Sequence, residues 1–302
     1  MTRIRIGTRG STLALAQARW VKEQIEARGD AVVELAMIKT SGERFIDTPI
    51  QSIGGKGVFT KEIEDALLRK EVDLAVHSLK DLPTELPAGL AIIAVPKRED
   101  ARDVLVSAAG KSLADLPKGA RLGTASLRRR AQLLYRRPDL SLLALRGNVD
   151  TRLRKLDEGE ADGLVMAAAG LIRIGRKERI TQYLEDDLCV SAVAQGALGL
   201  EAREDSPLRE DIAFLHDPVT FSCVSAERAF LARLGGGCHV PVAAHATVIN
   251  DTLFLIGVVA DIDGKALKRG DCSGSADDGE RLGRQLAARL LSEGADKFLN
   301  TV

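Results

Sequence analysis

The sequence predicts an α/β fold of mainly parallel sheets covered by helices, and three observations carry that expectation. Over about the first 200 residues, short apolar runs alternate with amphipathic stretches. Polar, arginine-rich clusters recur just after the apolar runs, where α/β sheets gather their ligands. Aromatic residues are only 3% of the chain, so its core must be built from aliphatic side chains. A balance of 45% hydrophobic and 28% charged residues suits a globular protein and argues against disorder. At 302 residues there is room for two or three domains.

The apolar runs Arg3–Thr8, Val32–Ile38, Asp73–Val76 and Leu90–Val95 read as strands, and Ser11–Arg28 and Lys61–Lys70 between them as helices. Ser11 suits an N-cap and Gly29 the C′ position of the first helix. A second series follows, with strands at Val104–Val106, Arg121–Gly123, Ser141–Leu145 and Gly163–Met166. Its helices start near Ser126 and Asn148. The polar, proline-marked segment Val95–Asp100 reads as one domain boundary, and a helical stretch over Gln195–Leu215 ends at a second, His216-Asp217-Pro218. Beyond it, a helix over Thr220–Leu234, strands near Val242–Ile249 and Leu253–Val259 and a helix near Gly279–Leu291 form a small α+β domain. Three domains are expected: residues 1–96 with 195–215, residues 97–194, and residues 216–302.

The formal net charge is zero, which disfavours nucleic acid or a membrane surface as partner. No apolar stretch near Met1 is long enough for a signal peptide, and no run of about 18 apolar residues offers a membrane span. Cys189, Cys223, Cys238 and Cys272 form no C-x-x-C pair and read as free thiols of a reducing compartment, so a cytoplasmic location is expected.

Within this neutral chain the charge is unevenly spread. From Arg121 to Lys155 there are ten basic residues against Asp139 and Asp150, and nine of the ten are arginine. Arginine suits planar, bidentate capture of carboxylate or phosphate. Thr8-Arg9-Gly10-Ser11, Thr124-Ala125-Ser126-Leu127-Arg128-Arg129 and Arg146-Gly147-Asn148 each follow a strand and open a helix, a natural anion site. Arg130, Arg136, Arg137 and Arg154 read instead as a solvated helix face. A cleft lined by arginines for a small polycarboxylate is the expectation.

Gly54-Gly55-Lys56-Gly57 lacks P-loop spacing, and the long loop from Lys39 to Phe59 suggests a lid over a site. In His77-Ser78-Leu79-Lys80-Asp81, the acid can pair with a neighbouring cation, stabilise a cation formed in reaction, or act as general acid and base. His77 reads as a structural hydrogen-bonding residue, and no metal is expected because no second ligand has metal-like spacing. Gly235-Gly236-Gly237-Cys238-His239 projects a thiol on a glycine turn. A covalent tether explains it better than a buried, metal-binding or protease-like cysteine.

Taken in order, these clusters resemble the porphobilinogen deaminase (hydroxymethylbilane synthase) family. The resemblance is carried by Thr8-Arg9-x-Ser11, Gly54-Gly55-Lys56-Gly57-x-Phe59, His77-Ser78-x-Lys80-Asp81-x-Pro83, Gly123-Thr124-x-Ser126-Leu127-Arg128-Arg129, Arg146-Gly147-Asn148 and Gly236-Gly237-Cys238-x-Val240-Pro241. It implies two domains similar to type II periplasmic binding proteins, a third carrying the attachment cysteine, and a monomer. It implies a dipyrromethane cofactor in thioether linkage to Cys238, with porphobilinogen as substrate and Asp81 as the catalytic acid. It further implies that Arg9, Ser11, Lys56, Phe59, Ser78, Lys80, Thr124, Ser126, Arg128, Arg129, Arg146, Gly147, Arg152, Arg173 and Gln195 bind cofactor and substrate. Two positions depart from the family pattern. Ala194 stands where glycine is usual, so a positive φ there would be strained, and Glu43 stands where the lid carries Asp. A solute-binding protein and a nucleic-acid-binding protein are the rival readings. The third domain opposes the first, and the zero net charge opposes the second.

Overall fold

A computed structural model describes residues 2–29, 31–40, 60–235 and 240–299 of the chain. Lys56, Phe59 and Cys238, most of the expected lid and Glu43 lie outside the described residues. In chain order the elements are β1 (Thr2–Thr8), α1 (Thr12–Glu26), β2 (Ala31–Met37), α2 (Lys61–Leu68), β3 (Leu74–Ser78) and β4 (Leu90–Ala94). Then come β5 (Asp103–Ser107), β6 (Arg121–Gly123), α3 (Leu127–Arg136), β7 (Ser141–Leu143), α4 (Val149–Asp157), β8 (Gly163–Ala167), α5 (Ala168–Arg173) and β9 (Gln182–Leu184). There follow β10 (Leu198–Arg203), a one-turn helix (Leu208–Asp211), α6 (Pro218–Arg233), β11 (Val242–Ile249), β12 (Thr252–Ala260), β13 (Leu267–Ser275), α7 (Gly279–Leu290) and a one-turn helix (Asp296–Leu299).

Two compact units emerge, Met1–Arg98 with Ala197–Phe221, and Glu99–Gly196 with Ser222–Val302. The first holds a five-stranded sheet in the order β2-β1-β3-β10-β4. β1 runs parallel to β2 and β3, while β10 is antiparallel to both its neighbours. α1 packs on this sheet through Ala14, Ala18, Val21 and Ile25, buried at helical spacing. Ser11 caps it by accepting a hydrogen bond from Ala14 N, and Gly29 takes a left-handed φ of 87° just beyond its end.

The second unit repeats the plan in its own sheet, β7-β6-β8-β5-β9, with β5 the reversed strand. In each sheet the reversed strand is the first one formed after the chain crosses from the other unit. Its N-terminal end lies beside the C-terminal end of a parallel strand, Leu198 against Ser78 and Asp103 against Ala167. A three-stranded antiparallel sheet, β11-β12-β13, completes this unit with α7 packed on it.

The expected α/β class is observed, and most elements lie where the sequence places them. One expectation is overturned. Gln195–Leu215 is not a helical stretch: its centre is β10, and only Leu208–Asp211 is α-helical. Leu198-Gly199-Leu200-Glu201-Ala202 has helix-forming composition, but the open edges of β3 and β4 need a hydrogen-bonding partner, and all five residues are buried between them. Tertiary pairing overrides propensity. β13 went unrecognised for the converse reason. Lys268, Arg269, Asp271 and its glycines give an exposed edge strand with almost no apolar signal.

Candidate active site

In the first unit, parallel pairing of β1 with β3 sets their C-terminal ends side by side. The residues that follow line one pocket: Arg9 from β1, and His77, Ser78 and Asp81 from β3 and its turn, with Gln17 and Thr60 alongside. Arg9 Nη2 lies 3.8 Å from Asp81 Oδ2, and the Asp81 side chain remains 37% exposed. So loose and solvated an ion pair is worth little, about 1 kcal/mol or less, so Asp81 is oriented without being consumed. Gln17 Nε2 donates to Ser78 Oγ at 2.8 Å. Lys80 and Ser11 are half-buried nearby in the chain.

Below the pocket lies a polar cluster that the sequence reading did not assemble. His77 Nε2 meets Glu201 Oε2 at 3.0 Å, and both side chains are buried. Glu64 of α2 stands close enough to feel both, and burial pushes its carboxyl above the usual range against the opposing pull of Thr60 and His77.

The second unit presents strand-end residues of the same types in a different state. Ser126 and Asn148 cap α3 and α4 by accepting from Arg129 N and Thr151 N. Gly147 has φ 115°, and a Cβ there would come within 2.8 Å of Thr151, so the turn that presents Arg146 requires glycine. Thr124 is buried, its backbone N–H bound to Leu143 O.

Arg128 and Arg129 are also buried, both at 6% exposure, and both grip Asp103. Arg128 Nη1 donates to Asp103 Oδ2 at 2.6 Å, and Arg129 Nη2 to Oδ1 at 2.7 Å. Gln195 Nε2 adds a third donor at 2.8 Å. Burial alone would raise the Asp103 carboxyl, but the two guanidiniums outweigh it and hold the group well below the carboxylate range. Cys189 Sγ donates to the same acid, and burial pushes its thiol up to about 12, which leaves it unreactive. Nothing in the chain near Arg128 signals Asp103 as its partner; only the reversed direction of β5 delivers it.

Two other arginines are differently placed. Burial, with Arg129's charge adding, holds the Arg152 guanidinium down to about 10. Among the described residues it pairs with no carboxylate, its Nε reaching only Asn148 O at 3.4 Å. Arg173 is likewise held to about 10 by burial, against the pull of Glu99, and donates to Gly196 O at 2.6 Å. A guanidinium desolvated without a partner favours an incoming anion. Of the four arginines read as a solvated helix face, Arg136 and Arg154 are exposed, whereas Arg130 and Arg137 are half-buried, and Arg137 pairs with Asp139 and donates to Leu113 O and Leu116 O.

Ala194 has φ 58°, the strained value expected for a residue standing where glycine is usual. Its N–H is tied to the buried Glu227 Oε2 at 2.6 Å. No helix among the described residues is long and apolar enough to cross a membrane.

Comparison with known proteins bears on these sites. A family profile described as "Porphobilinogen deaminase, dipyromethane cofactor binding domain" matches residues 4–210, and one described as "Porphobilinogen deaminase, C-terminal domain" matches residues 221–292. Curated relatives carry the name porphobilinogen deaminase. That of Syntrophotalea carbinolica is 53% identical over 98% of this chain and 95% of its own. That of Pelobacter propionicus is 51% identical over 99% and 97%, and that of Geobacter sulfurreducens 50% over 100% and 95%. Among solved structures, the methionine binding protein MetQ is similar over 70% of this chain and 89% of its own, at 13% identity and a TM-score of 0.46.

Proposed function

The chain belongs to the porphobilinogen deaminase family, and from that premise we propose how its own residues carry the reaction. The activity is the stepwise condensation of four porphobilinogen molecules onto a covalently bound dipyrromethane primer, with release of ammonia and then hydroxymethylbilane. Each pyrrole unit brings an acetate and a propionate, so the site must neutralise carboxylates in growing number.

The donor set fits such a primer. Arg152 is a half-buried guanidinium without a carboxylate among the described residues, and this is the chemistry that a pyrrole side-chain carboxylate satisfies. Arg9, Ser11, Lys80, Thr124, Ser126, Arg146, Gly147 and Arg173 are proposed to hold the other carboxylates, and Cys238 to form the thioether. Bound in this way, the primer supplies an electron-rich pyrrole carbon. Arg128, Arg129 and Gln195 contribute by holding Asp103 and so fixing the start of α3. Lys56, Phe59 and Ser78 complete the proposed binding set.

Asp81 is the proposed catalytic acid, and the observation that carries this is its state. It is a carboxylate in the pocket at the strand ends that Arg9 also lines, 37% exposed and held only loosely by that arginine. When ammonia leaves porphobilinogen a cation remains, and a carboxylate fixed beside it stabilises that charge. Residues 1–96 with 195–215, 97–194 and 216–302 are proposed as three domains. The protein is proposed to act as a cytoplasmic monomer with no nucleic-acid or membrane partner.

The test is direct. Purified protein incubated with porphobilinogen should release four ammonia molecules per hydroxymethylbilane. Its intact mass should exceed that of the polypeptide by a dipyrrole that Cys238→Ser removes. An unmodified chain with full turnover would refute the tether.

A further inference from the structure

Glu201 is an acid in the middle of a sheet. It lies on β10, fully buried, where Gly199 stands opposite His77 and Glu201 opposite Ala75. The carboxyl group therefore sits two residues along the same face from His77, and the Leu79 side chain packs over Gly199, where a Cβ would come within 2.9 Å of it. Burying a carboxylate at this depth costs several kcal/mol, on the order of the idealised penalty reduced by relaxation, unless a partner is supplied. His77 Nε2 is that partner, at 3.0 Å, while Glu201 Oε1 meets no donor among the described residues. A desolvation cost of this kind invites a compensating role, and the binding assignments above give the pair none.

The pair's surroundings indicate the role. His77 is among the residues that line the pocket with Arg9, Ser78 and Asp81. Nε2 is committed to Glu201, and among the described residues no hydrogen bond reaches Nδ1. Burial favours the protonated form of the neighbouring Glu64, so Glu64 does not compete with Glu201 for the imidazole N–H. An imidazole oriented by a carboxylate at one nitrogen, with no hydrogen bond to the other among the described residues, has the arrangement of a general base. The carboxylate fixes the tautomer with hydrogen on Nε2 and leaves the Nδ1 lone pair as acceptor.

We propose that His77, oriented by Glu201, takes up the proton displaced from carbon at each condensation. Each addition has one such proton to remove. The C–N bond of porphobilinogen breaks and its electron pair leaves with ammonia. As the new C–C bond forms, the attacked ring position loses its hydrogen: the C–H electron pair returns to the ring and the proton passes to Nδ1. Asp81 serves the departure of ammonia, and His77 serves the proton loss that follows. The inference rests on the pocket of Asp81 being the reacting site.

Two measurements test it. In ¹⁵N-histidine-labelled holoprotein, neutral His77 is expected as the Nε2–H tautomer. An Nδ1–H tautomer would overturn the proposal, whatever the activity of Asp81 variants. With porphobilinogen deuterated at its free α-carbon, His77→Gln should keep the covalent cofactor mass, slow turnover about 100-fold and show a larger primary isotope effect than the parent protein. Glu201→Gln should show the same isotope signature with a smaller loss, and stands in for His77→Gln should that chain not fold. An isotope effect unchanged in the folded variant overturns the proposal. Asp81→Asn should slow turnover with no added isotope effect. Full activity in Asp81→Asn would remove the pocket assignment while leaving the tautomer result standing.

Discussion

Asp81 in the first unit and Asp103 in the second both stand beside arginines at the edge of a five-stranded sheet, and there the likeness ends. Asp103 is fully buried and receives hydrogen bonds from Arg128, Arg129 and Gln195. Asp81 is 37% exposed, with Arg9 at 3.8 Å. The two sheets share a strand order, reversed strand included, so topology does not separate the roles. Solvation does. A carboxylate saturated by buried donors can hold a structure together but has nothing left for a substrate. A carboxylate held loosely at a pocket wall keeps its charge available for a cation that forms there.

The contrast can be broken most severely at Asp103. Asp103→Ala leaves two guanidiniums buried without their counter-charge, and the expected loss is about 3–5 kcal/mol of stability, read as a lower denaturation midpoint. Its pH signature follows from the lowered carboxyl. The interaction is fully present above the unfolded-state value of about 4 and is lost as pH falls through the folded-state value. The parent protein should therefore lose stability on acidification below about pH 4 more steeply than Asp103→Asn.

Next in size is Arg152→Gln. Removing a half-buried guanidinium that pairs with no carboxylate among the described residues should cost the fold little. It should weaken the hold on pyrrole carboxylates by about 1.5–3 kcal/mol, the range for a hydrogen bond to a charged group, seen as a raised KM. An unchanged KM together with lowered stability would make Arg152 structural. Gly147→Ala should follow, at about 1–2 kcal/mol of stability for the left-handed φ plus the clash with Thr151. Smallest is Ala194→Gly. Relief of a positive φ at 58°, partly offset by backbone entropy, should stabilise the chain by about 0.5 kcal/mol, within reach of a careful denaturation curve.

The same contrast explains what was legible in the sequence. Strands such as Val104–Val106 announce themselves as apolar runs, and Ser11, Ser126 and Asn148 announce the helix starts they cap. Local chemistry determines these. The strand-end arginines were equally visible, but their partners were not. Asp103 lies 25 residues before Arg128 and reaches it only because β5 runs antiparallel. Glu201 lies 124 residues beyond His77 on a segment whose composition reads as helix. What a single sequence hides is the partner that a reversed strand brings from a distance, and both reversed strands here carry a buried acid to the edge of a site.

The most direct measurement sets the two acids against each other, with turnover and denaturation midpoint recorded for Asp81→Asn and Asp103→Asn in protein of verified cofactor mass. Asp81→Asn should keep the parent midpoint and lose about 100-fold in turnover, the scale of removing one electrostatic stabiliser of a transition state. Asp103→Asn should lose stability first, with turnover in the folded fraction less affected. Near-parent turnover in folded, cofactor-loaded Asp81→Asn would contradict the assignment of that acid to the chemistry.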